Sequence, residues 1–495
     1  EVNAGTGPRE KEVERKSRDP NMEKSMFVLK HDDCMKYSKA YKAFMEKYPD
    51  VEHNIKALFM MNRSVGRHAG GVLICPELEK SMPLIKVRGE LQTPWTEGVN
   101  IRNLEENGFL KFDFLGLKQM KMVENCIRRI LKKETGKAPT FADIKRFYDE
   151  KLNCRYVDPD DQSVFDNVYK KGKWPGIFQF TSSGARKFCK DAQVNNVTEL
   201  AAVTAIYRPG PLKANVHRDY VKAKAIPAAQ VYDHPVIKEV LEETCGFIVF
   251  QESFMLLAVK LAGFTEGDSD KMRKTLVKKD LTSLGKKSSE KEALEKKFVD
   301  GCVEKSGMNR KKAQDLFDKI AYFSLYGFNK SHAIAYAIDS YYGAWLMTHY
   351  EKEWLATVLE TENGSPKGLS RALAEIKEMG HAIAKVDVNY SDFEWTFAEA
   401  ANAFVPPMAA VKGIGKVAMR EIINERPFKT LDEMFFDENG NWKLSKANKT
   451  ALKALCKIEA MDSLEDIHNG SVLNYRQLLF ALTDDKNYIK LKRGN

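Results

Sequence analysis

The sequence predicts a mainly helical α+β protein. Three observations carry that expectation. Strand-like stretches are few and short, near 72–75, 110–117 and the start of 245–264, apolar residues elsewhere recur at helical spacing, and a glycine hairpin joins short helices near residue 413. At 495 residues the chain is long enough for several domains, each with its own core. The 79 Lys and Arg against 69 Asp and Glu leave a formal net charge of +10. That excess permits nucleic-acid binding without by itself arguing for it.

The eight cysteines, at 34, 75, 126, 154, 189, 245, 302 and 456, lie far apart and form no CxxC pair. This argues against a zinc knuckle or a disulfide framework and for a reducing cytosol. No apolar run approaches membrane-spanning length and no signal peptide is visible, so no membrane partner is expected.

Residues 1–33 are polar, charged and almost free of aromatics, which suits a flexible arm or a segment tied to a partner. From Met35 to Met61 the apolar spacing predicts two helices, broken at Pro49. Residues 63–75 (RSVGRHAGGVLIC) read as a Gly-rich turn entering a strand over 72–75. In that turn His68 is as well explained by a bond to backbone as by a chemical role. In Leu110–Leu117 (LKFDFLGL), Leu110, Phe112 and Phe114 share one strand face, and Lys111 and Asp113 share the other. A half-buried strand with Asp113 near an edge is the plain reading. A carboxylate between two Phe is nevertheless costly unless it is paired or holds a metal.

Residues 118–156 are helical and basic, and Val157–Asp161 (VDPDD) forms a turn and helix cap rather than a metal site. In Ile206–Leu212 (IYRPGPL), two prolines and a glycine stiffen the loop that presents Arg208, and a pre-set guanidinium suits phosphate oxygens. Residues 245–264 predict a strand and then a buried helix, which Gln251 and Glu252 cap and orient. A cationic helix follows at 265–279, carrying Lys271, Arg273, Lys274, Lys278 and Lys279; residues 280–312 read as an exposed loop and a charged surface helix. In Tyr326–Ala337 (YGFNKSHAIAYA), Ser331 or Asn329 caps a helix whose apolar face runs through Ile334, Ile338, Tyr341 and Trp345. Lys330 and His332 then sit at a helix N-terminus, where free N–H groups and the dipole favour anions. Val411–Ala418 (VKGIGKVA) is a hairpin between two short helices, whose glycines let the backbone approach a phosphate. A degenerate second copy runs from Lys446 to Asp462, and the tail from 463 to 495 reads as helical with a basic end.

Taken in order, these strings resemble the C family of bacterial replicative DNA polymerases, the DNA polymerase III alpha subunits. KFDFLGL and HAGGV match its palm, YRPGP and FNKSHA match its fingers, and the QE-headed and KK-ended helices fit between them. GIFQF departs from the family's GVFQLES at Thr181 and Ser183. The resemblance implies a partial nucleotidyltransferase-like palm sheet, a large helical fingers region and a helix-hairpin-helix pair. It places an arm at 1–33, the end of the thumb at 34–62, the second palm half at 63–117, the fingers at 118–385, and a little finger with the hairpins at 386–495. It implies two-metal nucleotidyl transfer with Mg2+, in which Asp113 is a metal ligand and, with Lys111, catalytic. Arg208, Arg273, Lys278, Lys279, Asn329, Lys330 and His332 become nucleotide-binding residues, and Lys412, Gly413, Gly415 and Lys416 grip DNA. Primer–template DNA, deoxynucleoside triphosphates and a sliding clamp are the partners it implies, in the cytoplasm of a bacterium or a phage-infected cell.

One departure matters. The family's other two carboxylates lie in a PDxDxDF strand, and no such string occurs here. The expectation is a divided polymerase, in which a second polypeptide supplies the missing palm carboxylates. A non-catalytic DNA-binding or assembly subunit derived from the fingers is the rival, and a fragment of a full polymerase a third possibility.

Overall fold

The computed structural model describes residues 31–58, 67–68, 70–87, 89–95, 103–114, 116–226, 230–277, 289–324, 327–464, 467–468, 471–472 and 475–492. It comprises two units, Glu1–Leu117 and Lys118–Asn495. Mainly helical α+β architecture holds throughout, with only short strands.

The first unit opens on three helices where the sequence suggested two: His31–Tyr37 (α1), Lys39–Lys47 (α2) and Glu52–Leu58 (α3). The added break is at Ser38, whose hydroxyl accepts the Tyr41 N–H at 3.1 Å and caps α2. Pro49 then opens a 3-10 turn, Pro49–Val51, at a position where its missing N–H is not needed. Residues 31–33, assigned above to the arm, belong to α1; the arm's other residues, 1–30, lie outside the described ones.

Next come Gly71–Leu73 (β1), Leu78–Ser81 (α4), Ile85–Val87 (β2), Glu90–Gln92 (β3), Asn103–Glu106 (α5) and Lys111–Asp113 (β4). β1 runs antiparallel to β4, with Gly71 opposite Asp113, Val72 opposite Phe112 and Leu73 opposite Lys111. Both strands are shorter than expected. The apolar face expected to be half-buried is largely open, with Leu110 65%, Phe114 66% and Ile74 69% exposed. Among the described residues β1 and β4 pair only with each other, so each keeps an edge without a ladder partner.

The second unit is built on three apolar cores. Lys118–Thr135 (α6) and Phe141–Lys151 (α7) lead in, and α6 buries Met122, Val123, Cys126, Ile127 and Ile130 along one face. Asp161 caps the short helix Gln162–Val164, as VDPDD predicted, by accepting the Ser163 N–H at 2.9 Å. After a π-helical turn at Phe165–Lys170 come Ser183–Ala192 (α8), Val197–Ile206 (α9), Pro209–Lys213 (α10) and Val216–Ala225 (α11). α9 buries Val197, Leu200 to Val203, Ala205 and Ile206 and packs against Lys330–His349. The first core closes around Trp354, whose indole N–H donates to the Pro175 carbonyl at 3.0 Å.

Pro235–Leu241 (α12), Gln251–Ala262 (α13), Glu266–Val277 (α14), Ser289–Ser306 (α15) and Arg310–Ser324 (α16) enclose the second core. Two expectations are corrected here. Residues 245–250 form a single parallel bridge, Phe250 to Phe328, rather than a strand, because Cys245 and Gly246 both turn through positive φ. α15 is not only a surface helix, since Phe298, Val299 and Cys302 are buried against α13 and α16.

Lys330–His349 (α17), Glu351–Glu362 (α18) and Pro366–Glu378 (α19) return to the first core. A small sheet follows, of Ala382–Ile383 (β5), Thr396–Ala398 (β6) and Ala403–Val405 (β7) in the order β5-β7-β6. The third core gathers Lys416–Glu425 (α20), Leu431–Phe435 (α21), Lys449–Lys457 (α22), and the tail helices Tyr475–Ala481 (α23) and Asp485–Lys492 (α24). The tail also holds a two-stranded ladder, Ile467–His468 with Ser471–Val472. No helix among the described residues is long and apolar enough to cross a membrane, and none of the eight cysteines forms a disulfide.

Candidate nucleotide and nucleic-acid site

Arg208 is the N-cap of α10 rather than a loop residue. Pro209 takes the first helical position, where a fixed φ and a missing N–H are no loss, so YRPGP winds into a short helix. The guanidinium is held as firmly as the backbone. Its Nε donates to the Ala205 carbonyl at 2.6 Å, and its plane lies over the Phe328 ring, 4.4 Å from the centroid. Burial pushes its pKa below the usual arginine value.

Phe328 joins this arginine to the FNKSH segment. Its N–H donates to the Val249 carbonyl at 3.1 Å, its carbonyl accepts the Gln251 N–H at 2.9 Å, and Gln251 Nε2 donates to the Gly327 carbonyl at 3.1 Å. Residues 249–251 and 327–328 are thereby clamped together. Of the two candidate caps for α17, Asn329 performs the role: its Oδ1 accepts the His332 N–H at 2.8 Å and the Ser331 hydroxyl at 2.7 Å. The His332 ring is exposed and stands between Phe328, 5.5 Å away, and Tyr336, 4.2 Å away; Tyr336 in turn meets Phe178 at 5.2 Å. Further along α17, half-buried Asp339 has no side-chain hydrogen-bond or ion-pair partner among the described residues, and its desolvation raises its pKa.

The helix N-terminus is not the bare anion site the sequence suggested. Glu252, at the start of α13, accepts the Lys330 N–H at 2.9 Å and the Asn329 side-chain amide at 3.0 Å. Its carboxylate caps the neighbouring helix rather than its own. Lys330 Nζ forms a two-pronged contact with Glu243, at 2.6 and 2.8 Å, and lies 5.7 Å from the Phe250 ring. Arg208, Asn329, Lys330 and His332 are thus brought together around the Phe250–Phe328 pair. Arg273 is instead engaged by Asp270, with Nε and Nη2 at 2.9 and 2.7 Å, and Lys274 shares that carboxylate at 2.7 Å. Lys278 and Lys279 lie outside the described residues.

In the first unit, Asp113 has Lys111 Nζ at 3.5 Å and His68 Nδ1 at 3.7 Å. His68 Nδ1 accepts the Gly70 N–H at 3.2 Å, the backbone bond anticipated for a turn histidine. Gly71 lies close to His68 and Lys111, since an added Cβ would meet His68 Nδ1 at 2.9 Å and Lys111 Cδ at 3.4 Å. Among the described residues no three His, Cys, Asp or Glu side chains converge to hold a metal ion. Asp113 alone therefore does not make the magnesium site that the resemblance implies.

The hairpin at 411–418 packs on the third core through Ile414 and Ala418, with the residues between them exposed. What precedes it is a single 3-10 turn, Met408–Ala410, rather than a helix. Lys412 and Lys416 are exposed and form no ion pair among the described residues, unlike Arg273 and Lys330. In the segment expected to hold a second copy, Glu421 from α20 accepts the N–H groups of Lys446 and Ala447, each at 2.8 Å. Those two amides are taken and are not open to a phosphate. Gly413 has φ +108, whereas Gly415 has φ −78 and nothing within 4 Å of an added Cβ. Gly415→Val should therefore fold normally and weaken duplex DNA binding, whereas Gly413→Val should also cost about 1–3 kcal/mol of stability. Filter-binding and thermal melting of both variants check this. Unchanged DNA affinity in folded Gly415→Val would make the hairpin purely structural.

Glu243, Glu252 and Glu421 were missed as site residues, because each acts on a partner distant in sequence. Only Asp270 left a signal, standing three and four residues before the cations it pairs.

Three family profiles match the chain. Residues 10–116, with Lys111 and Asp113, match the bacterial DNA polymerase III alpha NTPase domain. Residues 137–306, with Arg208 and Arg273, match the bacterial DNA polymerase III alpha subunit finger domain. Residues 370–469, with the hairpin at 411–418, match a helix-hairpin-helix motif. The chain is 32% identical over 434 residues to DNA polymerase III subunit alpha of Aquifex aeolicus, covering 86% of this chain and 34% of the relative. The Campylobacter jejuni protein of that name is 30% identical over 430 residues, covering 85% and 34%. That of Halalkalibacterium halodurans is 31% identical over 399 residues, covering 79% and 33%. The chain spans about a third of the length of these relatives. It belongs to the bacterial DNA polymerase III alpha family.

Proposed function

We propose that this chain supplies a palm strand, the fingers and a DNA-gripping hairpin of a DNA-directed DNA polymerase acting in genome replication. The observation that carries the proposal is the gathering of Arg208, Lys330 and His332 around Phe250 and Phe328. Cations and a capped helix start, fixed on one rigid pairing, suit the triphosphate of an incoming nucleotide. Lys412, Lys416 and the glycines between them hold the phosphate backbone of primer–template DNA without reading sequence.

Asp113 contributes one carboxylate to the reaction centre. The reaction, magnesium-dependent nucleotidyl transfer in family terms, requires further carboxylates from outside these residues, and a second polypeptide bearing PDxDxDF is the expected source. The open β1 and β4 edges and the exposed Phe112 and Phe114 fit a palm segment added there. A sliding clamp is a further partner in this reading, and the cytoplasm of a bacterium or an infected cell is its setting.

A non-catalytic DNA-binding subunit is the second reading, favoured by the lack of a metal-ligand cluster among the described residues. Binding experiments separate the two. Duplex DNA should bind with little sequence preference, each neutralised phosphate adding about −0.9 to the log–log salt slope. Under the polymerase reading, deoxynucleoside triphosphates should also bind, and weaken in Lys330→Ala. DNA binding without any nucleotide binding would favour the second reading.

A further inference from the structure

The proposed triphosphate subsite is already occupied by the protein's own carboxylates. Glu243 follows α12 in the 3-10 turn Glu242–Thr244 and grips Lys330 Nζ through both oxygens, at 2.6 and 2.8 Å. Both side chains are 35% exposed. An ion pair so open to solvent is weak and exchanges readily. Glu252 is bound differently. It makes no contact with the ammonium group but accepts the Lys330 backbone N–H and the Asn329 amide, while Asn329 Oδ1 caps His332. Removing Glu252 would leave two donors without their acceptor and free the Asn329 side chain from one of its anchors.

We propose that the two glutamates act in opposite senses on phosphate binding. Glu243 competes with the triphosphate for Lys330, and Glu252 is a positioning residue that holds Asn329 and Lys330 ready for it. This rests on the reading of Lys330 as a phosphate-binding group. A multiply charged triphosphate displaces the single carboxylate of Glu243, which then repels it from close by and lowers net affinity. Glu252 stays in place through binding, because its bonds are to the backbone and to the Asn329 amide, which a phosphate does not replace.

Charge alone would make both glutamates inhibitory, so the sign of each effect is diagnostic. The test is equilibrium binding of inorganic tripolyphosphate, and of a deoxynucleoside triphosphate, to the full chain. Glu243→Gln should tighten both by about threefold, and that gain should shrink when combined with Lys330→Ala, because only the through-space repulsion then remains to be relieved. Glu252→Gln, measured below its own melting transition, should weaken both several-fold while leaving duplex DNA affinity unchanged. Should Glu252→Gln fail to fold, Asn329→Ala reports the same loss from the other side of the bond. If Lys330→Ala weakens binding but Glu243→Gln does not tighten it, competition is refuted. If Glu252→Gln tightens binding as Glu243→Gln does, positioning is refuted and both act by charge alone. If Lys330→Ala changes nothing, the phosphate reading of Lys330 itself is wrong.

Discussion

Lys330→Ala should raise the nucleotide KM of the assembled polymerase by roughly tenfold to a hundredfold, with duplex DNA affinity unchanged. A charge-assisted contact to phosphate is worth about 1.5–3 kcal/mol, and each 1.4 kcal/mol is about tenfold. The lower end is expected, because Lys330 is already paired with Glu243 and exchanges one anion for another. Arg208→Ala should give an effect of the same size with a second consequence. Its guanidinium is half-buried on Phe328 and bonded to Ala205, so truncation should also lower the thermal midpoint. Steady-state incorporation kinetics alongside melting curves separate the two effects. Normal nucleotide KM in both variants would assign these motifs to packing.

Asp113→Asn should lower kcat by about a hundredfold or more, while nucleotide and duplex affinities stay as they are. The substitution keeps the shape of the side chain. Asp113 is 47% exposed with Lys111 at 3.5 Å, so loss of its charge should leave the fold intact. An unaltered kcat would show that this strand does not carry the reaction centre.

What was legible in the sequence is what acts locally. The prolines around Arg208 marked a stiff platform, though as a loop rather than the helix start it is, Asn329 capped α17 over three residues, and Gly413 marked a positive φ. What was not legible depends on distant partners. Glu252 was expected to cap its own helix, yet its carboxylate reaches residues 77 and 78 positions away. Glu421 reaches the segment expected to hold the second hairpin from 25 and 26 residues upstream. Arg273 belongs to a third kind: its pairing with Asp270 follows from helical spacing and was readable, but the density of lysines around it suggested a free cationic face. The half-buried strand expected at 110–117 presumed a sheet beyond β1 and β4, and the described residues contain no further strand paired to it.

Primer extension, with and without a complementing palm segment, tests the central claim most directly. This chain alone should extend a primed template at no detectable rate with magnesium present. Adding a polypeptide that carries the PDxDxDF strand should restore extension, and Asp113→Asn should remove the restored activity. Robust extension by the isolated chain would contradict the account, because its carboxylates would then suffice without any outside partner.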